Sequence, residues 1–211
     1  SSTASSATAS SATASSATSS SSTASSSGPV TSSGLTLNNS DGGDCSTVGT
    51  WNSASQTCTL TNDIIISDDG VGILILSQGW ASNPTETGLI LDGNGHTITG
   101  TGINGIDHDG VRISGQSANI TIKDLKITNF KNGINSSFTN GLTITGLTID
   151  NVIGSYGIYL YGTDSLTLEN NTVSGSIVMY EHNAHIGNGN GSCTGTGLYV
   201  QPSIALNGPI V

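Results

Sequence analysis

The chain of 211 residues carries 14 acidic and 4 basic side chains, a formal net charge of −10, and only 4% of its residues are aromatic. Nucleic acid and anionic membrane surfaces are poor partners for it, because both are bound through Lys and Arg that neutralise phosphates. With 29 Gly and 9% charged residues it is too turn-rich for a helical protein, yet 34% hydrophobic content can fill a narrow interior.

Residues 1–27 contain only Ser, Thr and Ala, and SSATA occurs at Ser5–Ala9 and again at Ser10–Ala14. Nothing there can build a core. Residues 1–33 therefore read as an extended low-complexity arm or linker, and residues 34–211 as the folded domain. The start has neither the charged end nor the apolar centre of a signal peptide, and no initiator Met, so the chain reads as a mature or processed product. Beside the plain reading of a solvated linker stand two functional ones. Ser/Thr density suits an O-glycosylated stalk, and small side chains on both faces suit a strand laid along a neighbouring subunit.

Gly34 to Leu37 begins an alternation that predicts the first strand. Residues 41–60, DGGDCSTVGTWNSASQTCTL, place Cys45 and Cys58 thirteen positions apart around a turn. This segment reads as a hairpin or loop that caps the N-terminal end of the domain and is closed by a disulfide. Such a bridge would contribute roughly 3 kcal/mol in the chain-entropy account, and it implies an oxidising, extracytoplasmic compartment. Two reduced thiols are the alternative. Cys193 is left over, either buried and free or paired with another chain. The apolar runs between Asn62 and Leu76 predict early strands. Gln78 to Thr87 breaks the pattern as a loop, where Trp80 either stacks on a sugar or covers the loop base.

From Gly88 to Ser176 the chain repeats itself. Asn119–Phe130, Gly141–Val152 and Ser165–Ser176 align without gaps, at spacings of 22 and 24 residues. Apolar columns fall at Ile120/Leu142/Leu166, Ile122/Ile144/Leu168 and Ile127/Ile149/Val173, the period of strands buried on one face. A second register repeats at Gly110-Val-Arg-Ile, Gly133-Ile-Asn-Ser and Gly157-Ile-Tyr-Leu. Each repeat is thus one coil of about three short strands joined by Gly, Asn and Asp turns, and units of this period stack on one another to bury their apolar faces. No apolar run approaches the roughly 20 residues of a membrane span. Beyond Ser176 the register fails: Ile177–Tyr180 predicts one more strand, Glu181–Thr196 a loop, and Leu198–Val211 a strand or two interrupted by Pro202 and Pro209.

These columns, with the turn in LILDGNGHTITG (Leu89–Gly100), resemble the right-handed parallel β-helix repeat proteins, the group that includes pectate-lyase-like and NosD-like folds. The stretch Asp92–His96 is two residues longer than the matching turn downstream. The resemblance covers about Cys45 to Ser176 and implies a fold. It implies little about function, because the same coil carries lyases, hydrolases, adhesins and inert scaffolds.

No catalytic constellation stands out. Sugar-cleaving enzymes need paired carboxylates, and lyases acting on uronic acids need carboxylates for calcium with Arg or Lys for the substrate. Asp107-His108-Asp109-Gly110 and Asp68-Asp69-Gly70 are the densest acidic clusters, but both precede Gly at coil corners, where Asp is a good turn residue. If the chain is an enzyme, Asp107, His108, Asp109 and Arg112 are the residues that would carry the chemistry. Calcium at Asp107 and Asp109 is the one cofactor weighed against a solvated turn, and no other is expected. His182 and His185 lie in a Gly/Asn-rich loop with no geometry to fix them, and a single Met, Met179, argues against copper. Arg112, Lys123, Lys126 and Lys131 read as a solvated face. The Thr121/Thr143/Thr167 column reads as cross-strand pairing and not as an ice-ordering surface. Five Asn-X-Ser/Thr sequons, at Asn38, Asn119, Asn135, Asn170 and Asn190, are about as many as chance provides.

The expectation is therefore an all-β, right-handed parallel β-helix (solenoid) of about four to five coils, some 20–25 Å long at about 4.8 Å per rung. Its N-terminal disulfide cap covers about 41–60, its coils about 60–176 and its irregular C-terminal cap 177–211. The leading functional expectation is a non-catalytic extracellular or cell-surface protein, either a self-assembling filament or sheath subunit or a surface adhesin, with the arm making contacts between subunits. The alternative is a carbohydrate-active β-helix enzyme or a carbohydrate-binding module. Expected partners are copies of the same chain or glycans.

Overall fold

The computed structural model describes residues 28–76, 88–102, 108–115, 117–154, 156–163, 165–180 and 198–200. Trp80, Asp107, His182, His185, Asn190, Cys193, the arm through residue 27, and most of the predicted C-terminal cap lie outside these.

The chain winds through three sheets in a fixed order. The first coil runs through β1 (Val30–Ser32), β2 (Leu35–Asn38), a single helical turn α1 (Cys45–Val48), and the antiparallel hairpin β3 (Gly49–Asn52) and β4 (Thr57–Leu60). Two further coils follow as β5 (Ile64–Ile66), β6 (Ile73–Leu76), β7 (Ile90–Asp92), then β8 (Thr97–Thr99), β9 (Asp109–Ile113), β10 (Ser117–Lys123). The next two are β11 (Lys126–Thr128), β12 (Asn132–Ser137), β13 (Thr139–Thr145), then β14 (Thr148–Asp150), β15 (Tyr156–Tyr161), β16 (Thr167–Glu169). The last described strands are β17 (Thr172–Val173), β18 (Ser176–Tyr180) and β19 (Leu198–Val200). Sheet A stacks β1-β5-β8-β11-β14-β17, sheet B stacks β2-β6-β9-β12-β15-β18-β19, and sheet C stacks β3-β4-β7-β10-β13-β16. Every pairing is parallel except the hairpin, which makes the molecule a parallel β-helix. It begins at Val30, before the Gly34 boundary drawn from sequence. Among the described residues the coil from Val30 to Leu60 raises the expected four to five to six: the strand in its Gly34-Leu-Thr-Leu pairs in register with β6, while α1 and the hairpin depart from the downstream repeat.

The stacking follows from the columns. Ile120 pairs with Leu142 and Ile122 with Ile144, Ile127 pairs with Ile149 and Ile98, and Ile134 pairs with Val111 and Ile158. All of these are buried in one continuous core. The corners need left-handed backbone, which L residues other than Asn, Asp and Gly avoid. Asp124, Gly146 and Asn170 occupy one such corner with φ of 51°, 67° and 55°. Between β7 and β8 the turn is two residues longer, as read from the sequence, and Asp63 holds it through the Thr97 N–H (2.9 Å) and the His96 ring (3.1 Å).

Behind the start of sheet B runs a column of glycines, Gly72, Gly110, Gly133 and Gly157. A Cβ at Gly133 would lie 2.4 Å from Ile149 Cγ2 and 2.6 Å from the Gly157 carbonyl oxygen. The corner therefore closes only with no side chain there.

The N-terminal end is closed by α1, whose Cys45 and Val48 are buried, and by the Cys45–Cys58 disulfide. The expected cap is thus a hairpin plus one helical turn. Its second strand, β4, also belongs to the helix, pairing in parallel with β7.

Candidate functional site

The outer surface at the start of sheet B gathers the polar residues singled out above. In the register of β9 on β12, Asp109 lies beside Asn132 and Arg112 beside Asn135. Arg112 donates to Asp109 Oδ2 from Nε and from Nη2, both at 2.7 Å. Asn135 Nδ2 donates to the same oxygen at 2.9 Å, and Asn132 Nδ2 donates to Oδ1 at 2.7 Å. The Asp109 side chain is 1% exposed and that of Arg112 25%. A buried carboxylate persists only when its lone pairs are matched, and the planar guanidinium fork with two amides does so.

This corrects the reading of Asp109 as a solvated turn residue: it opens strand β9 and is buried. His108 is buried too, its ring edge-on to Phe130 at 5.0 Å, while its carbonyl accepts from the Lys131 and Asn132 N–H groups. The structure therefore brings His108, Asp109 and Arg112 into one region, but fastens Asp109 and Arg112 to each other. Asn132 and Asn135 were missed as partners. The signal was present in the Gly110/Gly133 alignment, which sets them one rung above Asp109 and Arg112. The other acidic cluster does behave as a turn, with Asp68 Oδ1 accepting from the Gly70 N–H.

Further along the same face stand Tyr156, Tyr159, Tyr161 and Phe138. The Tyr156 and Tyr159 rings are 5.2 Å apart, and Phe138 meets Tyr161 edge-on at 5.2 Å. Phe138 is 52% exposed and has φ of 55°. Its ring lies so close over Gly162 that a Cβ there would come within 2.9 Å of it.

The faces of sheets A and C differ in kind. They carry Thr columns, including Thr121/Thr143/Thr167 in register, and ion pairs between rungs. Lys123 Nζ sits 2.7 Å from Asp92 and Lys126 Nζ 3.0 Å from Asp150. The Asp92 carboxylate raises the Lys123 pKa. The Thr97 N–H, aided by His96, lowers that of Asp63, and the Thr128 hydroxyl, aided by Lys126, lowers that of Asp150. Three of the four basic residues thus pair with carboxylates, so they form no free basic patch.

Among the sequons, Asn38 Oδ1 accepts from Ser40 and Asp41, and the Asn135 amide nitrogen is committed to Asp109. Asn119 and Asn170 are exposed at left-handed corners. Among the described residues no group of three or more His, Cys, Asp or Glu is arranged to hold a metal ion, and no helix is long and apolar enough to cross a membrane.

Fold and site together define a parallel β-helix whose most prominent polar cluster ties two rungs together. The family described as "right handed beta helix region" matches residues 80–200, more than half of the chain, and the chain belongs to that family. No curated protein and no solved structure matches it.

Proposed function

We propose that the chain is a non-catalytic module of an extracellular surface, a rigid β-helix used for contact, as a self-associating structural subunit or an adhesin. The observation that carries this reading is the burial of Asp109, whose side chain is 1% exposed and bonded at both oxygens. A general base or nucleophile needs a free lone pair aimed at substrate, whereas both Asp109 oxygens accept bonds from Arg112, Asn132 and Asn135. The guanidinium also sets a fixed positive charge against the oxygen that calcium would need. Location outside the cytoplasm is supported by the Cys45–Cys58 bridge. In this reading residues 1–27 reach between subunits or link the helix to a surface.

The alternative, a carbohydrate-active or carbohydrate-binding β-helix, draws on the tyrosines beside this cluster. The test is to incubate the full chain with a panel of neutral and uronic-acid polysaccharides, with and without calcium, and to measure new reducing ends and unsaturated uronate absorbance. The proposal predicts no turnover. Cleavage above a boiled control overturns it.

A further inference from the structure

We propose that the outer face of sheet B is a self-complementary surface through which two copies of this chain pair with their helix axes antiparallel. The inference rests on the self-associating reading proposed above, and it needs neither the arm nor an extracellular location.

The first argument is charge. Two copies of a chain with a net charge of −10 repel wherever carboxylates meet. Sheets A and C and the corner between them carry Glu169 and the exposed Asp124 in addition to the Lys123–Asp92 and Lys126–Asp150 pairs, whereas the described outward positions of sheet B hold only the mutually neutralised Asp109 and Arg112 as charged groups. Sheet B is the face on which such a chain can meet itself without apposing like charges.

The second argument is layout. Leu74 and Leu76 of β6, both partly exposed, stand at one end, and Tyr159 and Tyr161 of β15 stand at the other. Between them lie β9 and β12 with Arg112 and Asn135, and β6, β9, β12 and β15 are consecutive neighbours in the sheet. A two-fold axis parallel to the strands and placed between β9 and β12 turns one copy over, so that β6 faces the partner's β15 and β15 faces the partner's β6. Apolar ends then meet aromatic ends twice, and the amide-rich centre meets itself, which is the reciprocal contact a two-fold dimer requires. Facing sheets pack at about 10 Å.

The third argument is Phe138. It occupies the left-handed corner after β12, whose counterpart after β15 is Gly162, and a bulky residue at such a corner is uncommon. This one holds a half-exposed ring over Gly162 at the margin of the face. Aromatic residues and Arg dominate interface energetics. The face from β6 to β15 is about 19 Å by 17 Å, on the order of 300–400 Å² per partner and 600–800 Å² in all, which is the size of a weak, transient contact. The dimer is expected to be reversible.

Sedimentation equilibrium of the full chain from about 5 to 500 µM tests this, with circular dichroism and a thermal melt on each variant to establish folding. Wild type should pass reversibly from monomer toward dimer. Leu76→Lys and Tyr161→Asp should each weaken association at least tenfold, and a chain lacking residues 1–27 should dimerise as wild type does. The double variant Leu76→Lys/Tyr161→Asp should recover much of the loss, because the antiparallel arrangement sets the introduced positive charge of one copy against the introduced negative charge of the other. A parallel arrangement would set like charges together and make the double variant the worst of the three. Wild type that stays monomeric, folded single variants that dimerise normally, or a double variant weaker than either single one overturns the proposal. So does a monomer that instead binds a neutral polysaccharide through Tyr161. Turnover of a polysaccharide would overturn the non-catalytic reading and leave the dimer standing.

Discussion

Replacing Gly133 by Ala tests the closure of the helix at its tightest point. Gly133 sits at none of the positive-φ positions, so the penalty is purely spatial. The added methyl would lie 2.4 Å from Ile149 Cγ2 and 2.6 Å from the Gly157 carbonyl oxygen, both inside the closest approach that real Cβ atoms show. A flexible side-chain tip could swing aside. Here one obstacle is a backbone carbonyl of the next coil and the other is the branch methyl of a buried Ile, stiff at χ1. Overpacking a dense core costs about 1–3 kcal/mol. With two contacts this short, one against backbone, the expected loss is about 3 kcal/mol. At a urea m-value of about 2 kcal/mol/M, that lowers the unfolding midpoint by about 1.5 M. Gly95→Ala is the control: its φ is +81° and nothing lies within 4 Å of the added methyl, so it should cost only about 1 kcal/mol of backbone strain. The assay is urea titration followed by far-ultraviolet circular dichroism on both variants. A Gly133→Ala loss below about 0.5 kcal/mol, or one no larger than that of Gly95→Ala, would refute the steric argument.

Three other outcomes are expected. Replacing Cys45 and Cys58 together by Ala should cost roughly 3 kcal/mol, the chain-entropy value for a loop of this length, read as a midpoint shift against wild type under non-reducing conditions. Asn171→Ala should cost about 2–3 kcal/mol by the same titration, because its buried amide accepts from the Leu147 N–H (2.9 Å) and donates to the Ile144 carbonyl (2.8 Å). Stability should also depend on pH at both extremes. Asp63 and Asp150 have folded pKa values below their unfolded ones, so their contribution is present above about pH 4 and is lost as pH falls through the lowered values. Lys123 is raised, so its contribution is present below about pH 10 and lost as pH rises through the higher folded value. All three are surface groups, so each effect should be a few tenths of a kcal/mol. Asp63→Asn and Asp150→Asn should flatten the acid limb of midpoint against pH.

The coils from Leu89 to Val173 were legible because each buries one stripe of Ile, Leu or Val per strand, and the columns of Ile127/Ile149/Val173 return at nearly constant spacing. Register followed from the same columns, down to the longer turn at Gly93–His96. Of the first coil, the strand at Gly34–Leu37 and the closed hairpin were legible, and β1 and α1 were not. In Val30–Ser32 a three-residue strand follows a featureless run, and α1 is one turn long, too short for a periodic signal. Asp109 was misread for a related reason. Asp before Gly is the ordinary mark of a turn, and its burial becomes apparent only when the next coil lays Asn132 and Asn135 beside it. Cross-coil hydrogen bonds link residues 23 and 26 positions apart, and a reading made within one coil cannot see them. The bridge of the cap, and a hairpin as one of two readings of the segment it closes, were legible from Cys45 and Cys58 on either side of a turn.

The account stands on the claim that Asp109, fastened to Arg112 in its own strand and to Asn132 and Asn135 in the next coil, ties two coils together and carries out no reaction. The most direct measurement is the paired urea midpoint and polysaccharide turnover of wild type and Arg112→Ala. Removing the guanidinium strips the buried Asp109 carboxylate of its charge partner, which should cost about 2–3 kcal/mol, while neither protein cleaves any polysaccharide. An unchanged midpoint together with a wild-type cleavage activity that Arg112→Ala abolishes would contradict the claim.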